Sequence, residues 1–147
     1  MAFQIVGVSL QNAAEFKAKL ARMGAESRGQ IVEDAAVAGG REFLAAAKAN
    51  APVLKKDDPR RVRGNLRDKI ALMVLKREAG RVTVGVGIGK SDYRAKVNGA
   101  FYALMVEYGT RFMEALPFLR PAFDARKDAA GKVTIGAFAV WVEGYAE

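Results

Sequence analysis

Two adjacent apolar segments with the two-residue period of β-strands constrain the fold more than any other feature of the chain. Residues 81–88 alternate, with Val82, Val84, Val86 and Ile88 on one face and Arg81, Thr83, Gly85 and Gly87 on the other. Residues 68–77 are apolar on both faces, and Glu78-Ala79-Gly80 forms a turn between the segments. The pattern predicts a small antiparallel sheet. The outward glycines predict a close neighbour, for which another subunit is a candidate.

Apolar residues at spacings of three and four predict two helices before the sheet. Asn12 and Glu15 match a capping box, which predicts that the first helix starts there and ends near Gly24. Its apolar stripe comprises Ala13, Phe16, Leu20 and Met23. Residues 3–10, ahead of this helix, are predicted to form a short strand.

The second helix is predicted from about Glu26 to Lys48, and Pro52 stops it. Its inner stripe comprises Val32, Ala36, Gly39, Phe43 and Ala46, most of which are small enough for another element to approach closely. The paired Gly39 and Gly40 each cost about 1 kcal/mol relative to Ala in a helix, which predicts a kink or break there.

After the sheet, a short helix is predicted between Tyr93 and Tyr108, carrying Phe101, Leu104 and Met105. Pro117 and Pro121 then lead into a C-terminal helix, whose entry is anchored in the core by Phe118, Leu119 and Phe123. Ile135, Phe138, Val142 and Tyr145 keep helical spacing, whereas the β-branched run at 133–135 favours a strand. Residues 1–147 are predicted to form one compact α+β domain, with N-terminal helices packed on the antiparallel sheet and a C-terminal helix.

A basic segment at about 53–67 is predicted to be an exposed loop. Between Lys55 and Lys69 lie seven basic residues (Lys55, Lys56, Arg60, Arg61, Arg63, Arg67 and Lys69) and three acidic ones (Asp57, Asp58 and Asp68). The segment therefore carries half of the net charge of +8. It could contact nucleic acid phosphates or an acidic partner, and it holds no aromatic residue for base stacking.

The composition argues against an enzyme. The chain has no cysteine and no histidine, which excludes disulfides, thiolate chemistry and the commonest general base. The run Gly85-x-Gly87-x-Gly89-Lys90-Ser91 has Val84 where a P-loop needs its first glycine, so a packed strand is the preferred interpretation. Asp57-Asp58 lies among cations, which favours local charge pairing over a metal site. We expect no catalytic residue, cofactor or metal; a hydrolase would depend on Asp57, Asp58 or Glu107.

Two short sequences stand out. They are Glu107-Tyr108-Gly109-Thr110 and Pro117-Phe118-Leu119-Arg120-Pro121. Together they resemble the signature of the phage minor-tail or tail-completion family typified by gene product ten of HK-ninety-seven-type siphophages. Ala51-Pro52, Gly64-Asn65-Leu66-Arg67 and Val82-Thr83-Val84-Gly85 resemble upstream features of that family, so the similarity runs from about residue 26 to 130. Arg63, Tyr108 and the basic segment depart from the family pattern.

The resemblance implies a structural virion protein, made in the bacterial cytoplasm and assembled as a ring, commonly sixfold. The ring would lie in the neck or at the head-proximal end of the tail, beside head-closure, tail-terminator or tail-tube proteins, with DNA passing through its lumen. A closed ring needs two different complementary patches, and the candidates are strand 68–77, the glycine face of 81–88 and the C-terminal helix. The alternative function is a stand-alone basic nucleic-acid-binding module.

Overall fold

A computed structural model of the chain describes residues 13–53, 62–78, 81–95 and 99–144. Its elements are α1 (Ala13–Arg22), α2 (Ala25–Asn50), α3 (Asn65–Lys69), β1 (Ile70–Glu78), β2 (Arg81–Ile88), α4 (Lys90–Arg94), α5 (Ala103–Tyr108) and α6 (Leu119–Gly144). The predicted α+β class is confirmed, with the long helix α2 against a two-stranded antiparallel sheet and a C-terminal helix. The strand predicted at residues 3–10 lies outside the described residues.

The two strands pair as the sequence predicts, in a register that runs from Ile70 opposite Ile88 to Val74 opposite Val84. A bulge at Leu75 shifts the register before pairing resumes with Lys76 opposite Thr83. β1 begins two residues later than predicted because the preceding residues complete α3. The helix ends where Ile70 takes extended backbone angles and its side chain enters the core.

The glycines on the outer face of β2 have different surroundings. A Cβ added at Gly85 would lie 2.7 Å from Cδ1 of Leu75, so the close neighbour expected there belongs to the same chain. A Cβ at Gly87 would meet nothing within 4 Å. Leu75 therefore accounts for the glycine at position 85 without another subunit, whereas the outer face of β2 is uncovered at Gly87.

Helix α2 lies between the hairpin and α6, and it is continuous through its paired glycines. The kink or break predicted there is wrong, since both glycines serve close packing instead. A Cβ at Gly39 would lie 2.9 Å from the Ala130 carbonyl oxygen of α6, and one at Gly40 would lie 2.5 Å from Cδ1 of Leu72 in β1. The tight contact on two sides accounts for two adjacent glycines in one helix.

The buried face of α2 is broader than the predicted stripe. Its fully buried residues are Ile31, Ala35, Gly39, Gly40 and Ala47, whereas Val32, Ala36, Phe43 and Ala46 of the prediction are only half-buried. At about 100° per residue, the fully buried residues lie on both sides of the predicted stripe, because α2 packs against α6 with one face and against the sheet with another. The line of residues between these two faces is less enclosed.

Two clusters of apolar side chains form the core. The larger contains Ala47, Ala51, Leu66, Ile70, Ala100, Ala103, Phe118 and Ala122, and the smaller contains Met23, Ile31 and Val142. Phe118 and Leu119 anchor the start of α6 as predicted. Phe123 does not reach the core: it is 56% exposed, and its ring stacks on that of Phe43 with centroids 5.2 Å apart.

The helices after the sheet differ in part from the prediction. The single helix expected between Tyr93 and Tyr108 is two short helices, α4 and α5, separated by a stretch that includes buried Ala100. Helix α6 continues through residues 133–135, so the strand alternative there is wrong. Tyr145, the last residue of its predicted stripe, lies outside the described residues. Among the helices that the structure describes, none has the length and hydropathy to cross a membrane.

Candidate interaction surface

The segment from α5 to the start of α6 contains both signature sequences, and its chain reversal occurs at Gly109. This residue has φ 75°, in the left-handed region that favours glycine. Its N–H donates to the Met105 carbonyl oxygen at 2.8 Å and closes α5. A Cβ at Gly109 would lie 2.9 Å from the Ala115 nitrogen and 3.0 Å from the Met113 carbonyl oxygen. Both the backbone angle and the close approach therefore require glycine.

The side chain of Glu107 caps the N-terminus of α6. Its Oε2 accepts hydrogen bonds from the backbone N–H groups of Phe118 and Leu119, at 2.7 and 2.9 Å, and its Oε1 accepts one from the Arg120 N–H at 3.1 Å. The first N–H groups of a helix have no partner within the helix, and the positive end of the helix dipole favours an anion there. Glu107, which belongs to α5, supplies both the hydrogen-bond acceptors and the negative charge. Its side chain does so while buried, with the residue only 2% exposed.

Burial and hydrogen bonding act in opposite directions on the pKa of Glu107. Desolvation by burial raises it, but the backbone hydrogen bonds of Leu119, Phe118 and Arg120 and the Arg120 side chain together lower it below its ordinary value. The carboxylate is therefore an anion at neutral pH. Its oxygens are already occupied by four donors, so it is committed to holding the helix end rather than to proton transfer.

Arg120 completes the cap and extends it to the surface. Its Nε donates to Glu107 Oε1 at 3.1 Å, and its Cζ lies 5.0 Å from the centre of the Tyr108 ring. A guanidinium over an aromatic face is a favourable cation–π contact. The half-exposed Arg120 therefore joins the buried carboxylate to an exposed aromatic side chain.

The capped segment presents a large apolar surface to solvent, called here the signature face. Its exposed side chains are Phe101, Leu104, Met105, Tyr108, Phe112, Met113 and Leu116. They lie on α5, just before it and in the loop that follows it. Exposed apolar groups that concentrate in one region indicate a binding surface, whereas single scattered ones do not.

A cavity of about 520 Å³ opens between α2, β2 and the first turns of α6. Its walls include Phe43, Ala47, Val84, Val86, Leu119 and Phe123, and its charged residues are Arg120 and Asp124. The walls are apolar, and the volume lies in the range of pockets that accept a compact organic group. The stacked pair of Phe43 and Phe123, which the sequence placed in the core, forms part of this open cavity instead.

The basic segment is only partly described. Lys55, Lys56, Arg60 and Arg61 lie outside the described residues, as do Asp57 and Asp58. Arg63 and Arg67 are exposed, and Nε of Arg67 lies 3.0 Å from Oδ1 of its neighbour Asp68. The end of the predicted loop is a short helix because Leu66 is buried in the main core and Gly64, at φ 77°, starts the turn before it.

The glycine-rich run and the acidic side chains were the sequence features considered for phosphate and metal binding. Gly85 and Gly87 lie within strand β2, paired with Met73 and Ala71, as the preferred interpretation of the glycine-rich run predicted. Among the described residues no group of three or more acidic side chains is placed to hold a metal ion.

The sequence did not reveal the capping role of Glu107. A helix N-terminus usually carries Ser, Thr, Asp or Asn, whereas residues 115–119, which enter α6, contain none of them. The absence of a capping residue at 115–119 was the one sequence feature that could have indicated a cap from elsewhere in the chain. The structure brings Glu107, Phe118, Leu119 and Arg120 of the two signature sequences into direct contact, with Tyr108 beside Arg120 and Gly109 at the turn. Thr110 pairs with Met113 in the loop, and Pro117 and Pro121 flank the helix entry.

Comparison with known proteins gives one family. The model of the HK97-gp10-like family, described as a candidate tail component of bacteriophages, matches residues 14–109. The match covers about two thirds of the chain and confirms the resemblance found in the sequence. It starts earlier than predicted, within α1, and ends at Gly109, before α6. No curated protein and no solved structure is significantly similar to the chain.

Proposed function

Because the chain belongs to the HK97-gp10-like family of bacteriophage tail components, we propose that it is a structural subunit of the ring that joins the capsid to the tail. Its copies, six in the commonest arrangement of such rings, surround the channel through which the DNA passes. The ring lies at the neck or the head-proximal end of the tail, between connector or head-closure proteins and tail proteins. The protein then acts through the burial of subunit surfaces rather than through catalysis.

The observation that carries this proposal is the balance of exposed and buried apolar side chains. Among the described residues, sixteen large apolar side chains are exposed, whereas six apolar side chains larger than Ala are fully buried. Seven of the exposed ones form the signature face. A lone soluble domain gains little from such an arrangement, whereas an assembly buries these side chains between its subunits.

The rigidity of the signature face supports a role in assembly. The Glu107 cap and the Gly109 turn fix the loop between α5 and α6 by hydrogen bonds within one chain. A surface that is already ordered loses less conformational entropy on binding than a flexible loop does. The exposed aromatic and aliphatic side chains are therefore held in a geometry suited to a subunit contact.

A closed ring requires two different complementary surfaces on each subunit. The signature face supplies one candidate. A second group of exposed apolar side chains lies on α6: Val133, Val140 and Trp141 fall on one side of the helix, whereas the exposed Ile135 falls on the other. This group supports the sequence-based expectation that the C-terminal helix takes part in subunit contacts.

The positive charge has a place in the same proposal. Arg63 and Arg67 are exposed. In the assembled ring these two side chains face a neighbouring ring or the lumen. Contacts to DNA in a lumen are to phosphates, independent of base sequence and weakened by salt. Weak contacts of this kind let the DNA slide through the channel.

The test is the mass of the purified protein in solution across a concentration series, measured by sedimentation, with native tail and capsid fractions added in parallel. A closed oligomer, or a monomer that joins oligomers on one of these particles, supports the proposal. A protein that stays monomeric and binds neither particle overturns it. If that monomer bound DNA with strong salt dependence, the alternative of a nucleic-acid-binding module would replace it.

A further inference from the structure

We propose that Phe112 of one copy inserts into the apolar cavity between α2, β2 and α6 of the next copy, where Arg111 pairs with that copy's Asp124. This inference rests on the proposed function, because it names a contact through which subunits of the ring join. Its occupant is a second copy of this chain.

The inserting group is an aromatic side chain at the tip of a fixed loop. Phe112 is 84% exposed, the most exposed large apolar side chain among the described residues. Thr110 and Met113 on either side of the tip exchange two backbone hydrogen bonds, of 2.8 and 3.2 Å, and the Phe112 N–H donates to Oγ1 of Thr110 at 3.2 Å. The loop therefore holds the ring away from its own subunit before any partner binds.

The receiving cavity is apolar and wide enough for an aromatic ring. Its volume is about 520 Å³, and Val84, Val86 and Ala122 line it together with the stacked rings of Phe43 and Phe123. Buried aromatic side chains that fill pockets are among the anchors that contribute most to the stability of protein interfaces. The exposure of Phe112 means that its ring does not fill the cavity of its own subunit and is available to another copy.

The charges beside the ring and at the rim are complementary. Arg111 lies directly before Phe112, with its Cζ 4.5 Å from the ring centre, and carries a positive charge into any contact that the ring makes. The rim of the cavity holds Arg120 and Asp124. Arg120 is already hydrogen-bonded to Glu107, whereas no ion pair between described residues involves Asp124 or Arg111. Asp124 is thus the charge that a guanidinium at the rim would meet.

The geometry of the contact fits a ring. The loop tip and the cavity are different surfaces of one chain, so subunits join head to tail when each gives its ring to one neighbour and receives the ring of another. Such contacts generate a closed ring when the rotation between neighbours closes and an open filament when it does not. Every subunit then provides one aromatic ring and receives another.

The test is a charge exchange followed in the assembly measurement, on the free protein or on the particle-bound protein, whichever forms oligomers. The variants are Arg111→Asp, Asp124→Arg and the double variant, with Phe112→Ala to remove the ring and Asp128→Arg, one turn further along α6, as the control. We expect each of the two single reversals to weaken assembly about tenfold or more, the double variant to restore it and the control to leave it unchanged. Phe112→Ala should weaken assembly at least as much.

Thermal unfolding of each variant shows whether a loss of assembly is a loss of folding, and these exposed positions should leave it unchanged. Single reversals that assemble like the wild type, or a double variant no better than its parents, overturn the inference. In both cases the wild type still assembles, so the proposed function stands. If the wild type forms no oligomer in either preparation, the proposed function is wrong, and the inference is wrong with it.

Discussion

Arg120 holds both the side chain and the backbone of Glu107: its Nε lies 3.1 Å from Oε1, and its Nη2 lies 3.0 Å from the carbonyl oxygen. The two residues lie thirteen positions apart, so this contact closes the loop between α5 and α6. The same carboxylate caps α6. The loop, the helix end and the signature face thus depend on one buried anion.

Replacing Glu107 with Gln tests this dependence, because it keeps the size of the side chain and removes its charge. The amide has one acceptor oxygen and cannot receive all four donors. Since hydrogen bonds to charged groups contribute about 1.5–3 kcal/mol, we expect the free energy of unfolding to fall by about 2–3 kcal/mol. Urea unfolding followed by circular dichroism measures the change.

The matched control is Glu114→Gln, in the same loop, where the glutamate is exposed. Surface substitutions of this kind usually change stability by less than about 0.5 kcal/mol. Equal urea midpoints for the two variants would show that the Glu107 carboxylate does not hold the helix end.

The pH dependence of stability should carry the signature of the same residue. The pKa of Glu107 is lowered in the folded chain from its ordinary value of 4.5, so between the two pKa values the unfolded chain binds a proton that the folded chain does not. The contribution of the carboxylate is therefore complete above pH 4.5 and is lost as the pH falls through the lowered pKa.

The half-buried Glu33 also has a lowered pKa, chiefly through its hydrogen bond to Arg77, so acid weakens the wild type through more than one group. The difference in unfolding free energy between the wild type and Glu107→Gln isolates Glu107. It should be constant near neutral pH and shrink below pH 4.5. A difference that stayed constant down to strongly acidic pH would contradict the assignment.

The glycines of α2 provide a second matched pair. In Gly39→Ala the new Cβ would crowd Thr134 and the Ala130 carbonyl oxygen of α6, and overpacking of this kind costs about 1–3 kcal/mol. In Gly29→Ala, on the same helix, the Cβ meets nothing within 4 Å, so the substitution should stabilise the protein by up to about 1 kcal/mol. Thermal unfolding distinguishes the two, and stabilisation by both would mean that α2 and α6 are not in close contact.

Local patterns predicted the parts of the fold whose cause is local. The alternation of residues 81–88 predicted β2 with its observed bounds, and Pro52 correctly placed the end of α2. These features depend on the period of side chains along a strand and on the backbone angles of the residue before a proline.

Features that depend on distant partners were not predictable in this way. The close approach of another element at Gly39 was predicted, but the kink was not observed, and only the position of β1 shows that Gly40 is a contact site as well. The cap of α6 is the side chain of Glu107, which accepts a hydrogen bond from the N–H of Phe118, eleven residues further along the chain. Phe123 has the spacing of a core residue, but its side chain lines the open cavity and is not packed in the core. Each case depends on a tertiary contact that the period of side chains along the sequence does not reveal.

Substitutions on the signature face should weaken assembly more than they weaken folding. Leu104 and Phe101 are each 56% exposed, so Leu104→Ser and Phe101→Ser remove only part of a buried side chain and should lower the free energy of unfolding by about 1 kcal/mol. Ile70 is buried in the main core, and Ile70→Ala should lower stability by about 2–5 kcal/mol.

Assembly should be more sensitive to the serine variants than to the core variant that folds, because the exposed part of each side chain is buried only against another subunit. Sedimentation across a concentration series should show weaker oligomers for both serine variants, by about tenfold if each loses about 1.4 kcal/mol of apolar contact. Val62→Ser is the control, since Val62 is exposed but lies outside the signature face. Serine variants that assemble like this control would mean that the face contacts no other subunit, and serine variants that unfold easily would place Leu104 and Phe101 among the side chains that hold the fold together.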